Sequence, residues 1–287
     1  MKPLGQSTLI VCSIVRNAQH GLKKNIPVID ALCSLCKDYR IVIYENDSTD
    51  NTKSLLQKWK HKDPLRIHIL LNQFDVPYTI PSQREVKGNP FFSRKRIDKM
   101  SSLRNQYMEY IDRQKWDADY LLIVDLDVAH LYIENILTSF ELNMEWDAVT
   151  AFGYSTSPRF KRRYHDTYAL TEYGDEMSPQ TEIKIINLAD KYAGLRKTDR
   201  CIRVFSAFGG LAIYRYEAVK GLRYYPYENN DKRVEVRCEH YSICSQMAER
   251  GYDRIYINPA MSLKYQNLTW KIIWASFIRR INLLITN

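Results

Sequence analysis

The first half of the chain alternates short apolar runs with stretches of helical spacing, and this alternation limits the fold more than any other feature. Residues 8–15 (TLIVCSIV), 40–44 (RIVIY), 65–71 (LRIHILL) and 120–124 (YLLIV) read as buried strands. Between them, residues 22–37 and 51–61 carry helix-like spacing, the first with Pro27 inside it. Ile97, Met100, Leu103, Tyr107, Tyr110 and Ile111 recur in the same way before the fourth strand. Apolar runs without internal alternation are buried on both faces, and helices between them supply the crossovers. The expected architecture is therefore α/β, a mostly parallel sheet flanked by helices.

The second half is less regular. Residues 147–152, 209–215 (GGLAIYR) and 254–258 are candidate strands, and residues 240–250 a helix. A basic loop spans 75–95, and a long polar segment, 154–200, has the length of a functional or mobile loop. One domain over 1–265 followed by a tail over 266–287 is the simplest organisation. The tail (LTWKIIWASFIRRINLLI) mixes Trp270, Ile273, Trp274, Phe277, Ile278 and Ile281 with Lys271, Arg279 and Arg280. That make-up fits an amphipathic helix lying in a membrane interface, or equally one packed on the domain or on a partner subunit.

Composition narrows the class. With 287 residues, 45% apolar and 26% charged, the chain is neither disordered, fibrous nor multi-spanning. The net charge of +9 points to anionic partners: nucleic acid, nucleotide phosphates or acidic lipid. Six scattered cysteines do not make a disulfide framework. The first apolar run is short and leads into Arg16 and Asn17 without a cleavage site. It reads as a strand and not a leader, so a cytoplasmic setting is expected, with peripheral membrane contact through the tail.

The sharpest chemical signal is Asp125-Leu126-Asp127 at the end of YLLIV. On an extended segment the two carboxylates share a direction, and they would emerge at the carboxyl edge of the sheet, where α/β folds bind ligands. Paired carboxylates suit Mg²⁺ or Mn²⁺ bridging to phosphate oxygens. Glu45-Asn46-Asp47-Ser48-Thr49-Asp50 follows the second strand. Ser48, Thr49 or Asp50 would cap the next helix, whereas Glu45 and Asp47 sit at the turn's mouth, where a base and ribose could be held. Arg96, Lys99 and Arg104 offer charge-assisted bonds to a diphosphate, or form a solvated helix face. Cys33 and Cys36 with Cys238, His240 and Cys244 could in principle gather zinc, although buried thiols are the commoner case.

In order, LIVCSIVRN, VIYENDSTDNT, LRN, ADYLLIVDLDV, FGGLAIYR and CEHYSICSQMAERGYDRIYINP together resemble GT-A glycosyltransferases of the Rossmann-like, nucleotide-sugar-binding kind. They resemble family 2 in motif order, and fungal capsule-associated α-1,3-mannosyltransferases in ENDSTDNT and R-x-x-x-M-S-x-LRN. The resemblance implies that Glu45 and Asn46 contact nucleobase and ribose, and that Arg104 and Asn105 lie beside the donor. It implies a D-x-D at Asp125 and Asp127, with Asp127 the preferred metal ligand, and a glycine loop at Gly209 and Gly210 where donor sugar and acceptor meet. Cys238-Glu239-His240 falls where inverting members carry Gly-Glu-Asp, so His240 replaces the usual base. Either Glu239 or His240 is then the base, or His240 is a third metal ligand, or both bind acceptor; a retaining enzyme would need no base. Asp47 stands where the pattern has Gly. The implied activity is metal-dependent transfer of a hexose from a GDP- or UDP-sugar to a hydroxyl of a glycan or lipid-linked saccharide, as in polysaccharide biosynthesis. The alternatives are a sugar-nucleotide pyrophosphorylase and a basic nucleic-acid binder. The pyrophosphorylase lacks its Gly-rich N-terminal signature here, and nucleic acid is not the expected partner, because it leaves the paired aspartates unexplained.

Overall fold

The computed structural model describes residues 1–72, 74, 79–82, 85–86, 88–157, 160–270 and 274. In chain order these form β1 (Thr8–Val15), α1 (Gln19–Ser34), β2 (Asp38–Asn46), α2 (Thr52–Lys62), β3 (Ile67–Asn72), α3 (Arg94–Gln114), β4 (Tyr120–Val124) and α4 (Ile133–Leu137). There follow β5 (Ala148–Thr156), β6 (Arg162–Tyr164), β7 (Thr171–Glu172), α5 (Glu182–Lys191), β8 (Ile202–Ser206), β9 (Leu211–Arg215) and α6 (Tyr216–Val219). The last elements are β10 (Tyr227–Glu228), β11 (Val236–Arg237), α7 (Glu239–Glu249) and β12 (Ile255–Gln266).

Among the described residues, ten strands form one sheet in the order β3-β2-β1-β4-β9-β5-β12-β8-β7, with β6 on β5. β9, β8 and β6 run against the other strands, so the sheet is mixed but mostly parallel, as the alternating pattern predicts. Its N-terminal half is wholly parallel, with β3, β2, β1 and β4 side by side. Pleating sends alternate side chains to opposite faces. Ile10, Cys12, Leu121 and Ile123 join one core with Tyr107 and Ile111 of α3 and Ile243 and Met247 of α7. Leu9, Val11, Leu122 and Val124 join a second core with Leu22 and Ile29 of α1 and Leu56 and Trp59 of α2. Cys33 belongs to the second core while Cys238 and Cys244 belong to the first, so the sheet separates the thiols considered for zinc.

Three expectations change. The long polar segment is largely built: it contains β6, β7 and α5, and Ile185 and Leu188 of α5 enter the core. The last strand does not stop at Asn258. Pro259 sits where the register with β5 shifts, between Asn258 and Ser262, and the chain then continues pairing to Gln266. Such an irregularity absorbs a proline that would otherwise end a ladder. The cap of α2 is Asn51, whose side chain makes no capping bond; Asp50 instead accepts the Thr52 N–H (3.0 Å).

The tail beyond residue 270 lies outside the described residues except for Trp274; Trp270 and Trp274 are both exposed. No helix among the described residues is long and apolar enough to cross a membrane.

Candidate active site

A cleft of about 540 Å³ opens at the carboxyl ends of β1, β2 and β4. Its lining includes Asn46, Arg96, Arg104, Asp125, Asp127, Glu239 and His240, which the chain contributes from β2, α3, the end of β4 and α7. Glu45, Asp47, Asn105, Gly209 and Gly210 do not line it.

The aspartates arrive by a turn and not by an extended strand. β4 ends at Val124, and the Val128 N–H closes back on the Asp125 carbonyl (3.4 Å). Leu126 is buried in the α1-side core, which leaves Asp125 and Asp127 on the cleft. Two residues of α1 fix this turn, and neither was singled out in the sequence. Asn25, fully buried, donates from Nδ2 to the carbonyls of Leu126 (3.0 Å) and Val128 (2.9 Å) and accepts the Leu131 N–H (3.1 Å). Gly21 lies so close that an added Cβ would stand 2.4 Å from the Leu126 carbonyl oxygen. The far side is held by β12: Tyr265 accepts the Ala129 N–H at its carbonyl (3.0 Å) and donates its hydroxyl to Asp125 Oδ2 (3.1 Å).

Arg104 organises the interior. It is 3% exposed, donates from Nε to Glu239 Oε1 (2.9 Å) and places Nη2 3.6 Å from Asp125 Oδ1. Its Nη1 is buried without a hydrogen-bond partner. Burial alone would raise the Glu239 carboxyl, but Arg104 beside it holds it down at about 2. Glu239 Oε2 also accepts from Cys238 Sγ (3.3 Å), so both oxygens are engaged. An ionised carboxylate gripped in this way orients Arg104 and is a poor proton acceptor.

His240 is 1% exposed and stacks flat on Phe208, with ring centroids 3.9 Å apart. Burial and then the Arg104 charge push it well below the ordinary histidine value, so the ring is neutral. Neither ring nitrogen has a hydrogen-bond partner. Buried polar atoms are usually paired, so two orphans facing a cleft mark a place for ligand groups. No group of three or more His, Cys, Asp or Glu among the described residues is arranged to hold an ion.

Burial, with Asp127 as a lesser contributor, raises the Asp125 carboxyl to about 7 despite Arg104. Asp127 reaches solvent at the cleft mouth, yet the surrounding protein raises it too.

The other predicted residues serve the loops around this centre. Glu45 accepts the Ser48 N–H (2.8 Å), and its second oxygen is buried and unpaired. Asp47 has φ +55°, the left-handed conformation that explains Gly at this point of the family-2 pattern. Its carboxylate takes the Phe74 N–H (2.7 Å) and the Asn46 amide (3.1 Å), which leaves it committed to the turn. Asn105 faces the outer side of α3, where its amide pairs both ways with the Tyr224 backbone (2.9 and 2.8 Å). Gly209 is required by packing: with φ +65°, an added Cβ would meet the Ala151 carbonyl oxygen at 2.2 Å. Lys99 lies over the Phe74 ring, and Arg96 over Phe91 at the cleft's edge.

The cleft also holds residues from the long polar segment and the last strand: Tyr164, His165, Asp166, Thr167, Tyr168 and Tyr265. For the first five the only signal in the sequence is the polar run YHDTY inside a segment without periodicity, which does not reveal that the chain returns to the sheet edge.

Residues 9–246 match the protein family described as Cryptococcal mannosyltransferase 1. The chain belongs to that family. It is thus a member of a glycosyltransferase family, and its mixed, mostly parallel sheet is flanked by helices. No curated protein matches it in sequence. Among solved structures it is similar to the mannosyltransferase PcManGT from Pyrobaculum calidifontis in complex with GDP-Man and Mn²⁺, at 15% identity and TM-score 0.49 over 97% of this chain and 63% of that one. It is similar to S. aureus TarS at 13% identity and TM-score 0.46, over 98% of this chain and 66% of TarS residues 1–349. It is also similar to glucosyl-3-phosphoglycerate synthase from Mycobacterium tuberculosis with Mn²⁺, UDP and phosphoglyceric acid, at 13% identity and TM-score 0.46 over 98% and 78%. The chain spans less than two thirds of the length of the first two.

Proposed function

We propose that the protein transfers a hexose from a nucleoside diphosphate sugar, a GDP- or UDP-sugar, to a hydroxyl of a glycan or lipid-linked saccharide, using Mn²⁺ or Mg²⁺. The observation that carries this reading is the shared placement of Asp125, Asp127 and Arg104 at the carboxyl edge of the parallel strands, inside one cleft. Asp125 and Asp127 share the cleft with Asp166 and Glu239. Hard oxygen donors at positions i and i+2 fit a divalent cation, which Asp125 and Asp127 would hold. When bound, such an ion offsets negative charge on the departing diphosphate.

The chain's own groups have separable tasks. Asn46 lies at the end of the cleft nearest the β2 turn and suits the nucleobase or ribose. Arg104, fixed by Glu239, directs its free Nη1 at ligand oxygens. Neutral His240 offers one donor and one acceptor to sugar hydroxyls. The tail with exposed Trp270 and Trp274 would bring the protein to a lipid-linked acceptor, which co-sedimentation with anionic and neutral vesicles tests.

The decisive experiment is thermal shift and donor hydrolysis over a panel of UDP-, GDP- and other nucleotide sugars, with and without Mn²⁺. Ligand at about 100 times its Kd adds about 2.7 kcal/mol to stability, a shift easily read. Stabilisation by one nucleotide, dependent on the ion, is the expected result. A flat response across the panel, or full donor turnover in EDTA, overturns the reading.

A further inference from the structure

α3 presents chemistry on two sides. Arg96, Met100, Leu103 and Arg104 line the cleft, whereas Asp98, Ser101, Ser102, Gln106 and Glu109 line a separate groove of about 280 Å³ on the outer side of the helix. The facing wall is the Tyr-Tyr-Pro run at 224–226, and it is fixed from behind. Asn105 pairs with both backbone groups of Tyr224 (2.9 and 2.8 Å), and Ser242 Oγ accepts the Tyr225 N–H (3.1 Å). Arg223 donates to Asp112 of α3 (2.6 Å). A groove held in this way loses little conformational freedom when it is filled.

The α3 wall is polar and uncommitted. Asp98, Ser102, Gln106 and Glu109 make no side-chain hydrogen bond or ion pair among the described residues. The Ser101 hydroxyl, on a residue only 4% exposed, is buried without a partner. Buried hydroxyls are usually paired, so this one marks the groove as a place for a hydrogen-bonding ligand. The lining then selects the ligand class. Two carboxylates and no Lys or Arg line the groove, which disfavours an anion. Asp98 and Glu109 stand three helical turns apart, about 16 Å along the axis, too far to share one cation. Apolar contact comes from the Tyr225 ring, 37% exposed, with Pro226 beside it. An exposed ring among hydroxyl, amide and carboxylate groups matches a neutral, elongated molecule rich in hydroxyls that also has an apolar face. A saccharide chain has that chemistry.

We propose that this groove is a second saccharide-binding site, which holds part of a glycan acceptor away from the point of transfer. Sugar hydroxyls donate to Asp98, Glu109 and the Gln106 carbonyl, and the C–H face of one ring lies on Tyr225. The groove lies across α3 from the cleft, a helix diameter of about 10–12 Å away. A chain held there keeps its other residues within reach of the cleft and raises their local concentration. The acceptor role rests on the transferase reading above; the binding itself does not.

The test uses the full chain with Ser102→Arg, which fills the groove from an exposed helix position, and Tyr225→Ala, which removes the ring. Arginine is a good helix former, so the Ser102→Arg protein should melt as the wild type does. Saturation-transfer NMR with linear mannose and glucose trisaccharides at millimolar concentration reads binding. Wild-type protein should bind at least one of them, and both variants should weaken it by ~10-fold or more. Their Kd for GDP or UDP with Mn²⁺ should stay within about threefold of wild type, and KM should rise for a hexasaccharide acceptor and not for a methyl hexoside. No signal from any trisaccharide, or binding that survives both variants, overturns the site. Equal changes in KM for long and short acceptors overturn its holding role. Wild-type protein that binds a trisaccharide in this groove and no nucleotide supports the site and overturns the donor reading alone.

Discussion

Replacing Gly21 by alanine adds one methyl group at the point where α1 supports the aspartate turn. The new Cβ would stand 2.4 Å from the Leu126 carbonyl oxygen and 2.6 Å from Asp127 Cα. Comfortable contacts between such atoms begin near ~3.5 Å, so the turn must retreat by about 1 Å. Two terms oppose each other. Alanine stabilises a helix relative to glycine by about 0.5–1 kcal/mol. Overpacking costs about 1–3 kcal/mol, and moving the turn also stretches the Asn25 bonds to Leu126 and Val128, worth about 1 kcal/mol each. The balance is a net loss of about 1–3 kcal/mol, or a fall of roughly 2–10 °C in Tm. The functional effect should exceed the stability effect, because displacing a catalytic group by about 1 Å can cost ~10²-fold in rate. Thermal melting together with Mn²⁺-dependent donor turnover at a temperature well below Tm separates the two. A Gly21→Ala protein that is more stable than wild type, with unchanged kcat/KM, would refute the claim that α1 sets the position of the aspartates.

Asn105→Ala should cost about 1–3 kcal/mol of stability through the two lost bonds to Tyr224, while nucleotide Kd stays put; a selective loss of nucleotide affinity would restore Asn105 to the donor site. Arg104→Met strands the buried Glu239 charge and should destabilise the fold by about 3–5 kcal/mol at pH 7, read by urea unfolding. The wild-type Glu239 contribution has its own sign: with a carboxyl held at about 2, the stability it lends is present above the unfolded value near ~4.3 and is lost as pH falls toward 2. Asp166 acts in the opposite sense, since its raised carboxyl lends stability that is full below about pH 4 and is lost as pH rises through about 8. Asp166→Asn should therefore flatten the fall in metal-free stability between those limits; parallel pH profiles for variant and wild type would contradict this. Asp127→Ala should abolish the Mn²⁺ dependence of nucleotide binding in calorimetry, and an unchanged Mn²⁺ requirement would move the ion elsewhere.

Local patterns in the chain carry the sheet's parallel half, because each apolar run and each helical spacing reports burial directly. The same holds for Asp125-Leu126-Asp127, whose position after YLLIV is enough to place both carboxylates at the carboxyl edge of the sheet, on the cleft. Arg104 was legible as a phosphate candidate, but its burial between Glu239 and Asp125 was not, since one comes from α7 and the other from β4. Asp47 and Asn105 show the converse. Their residue types and spacing suggested ligand contact, and the fold uses both to tie loops and helices to backbone groups.

What the sequence by itself determined is the order of strands and helices in the N-terminal half, the family motifs along it, and the residue types available for chemistry. Tertiary structure alone decided which of those residues share a cleft and in what state. Asp166 and Tyr265 reach it from a polar segment and a strand resumed after Pro259, joined to the aspartate turn only by pairing across the sheet. Charge states followed the same rule: the chain supplies equivalent carboxyls, and burial beside Arg104 or beside other acids sends Glu239 down to about 2 and Asp166 up to about 8. Such differences arise from neighbours distant in sequence, because electrostatic and packing energies depend on separation in space and not along the chain.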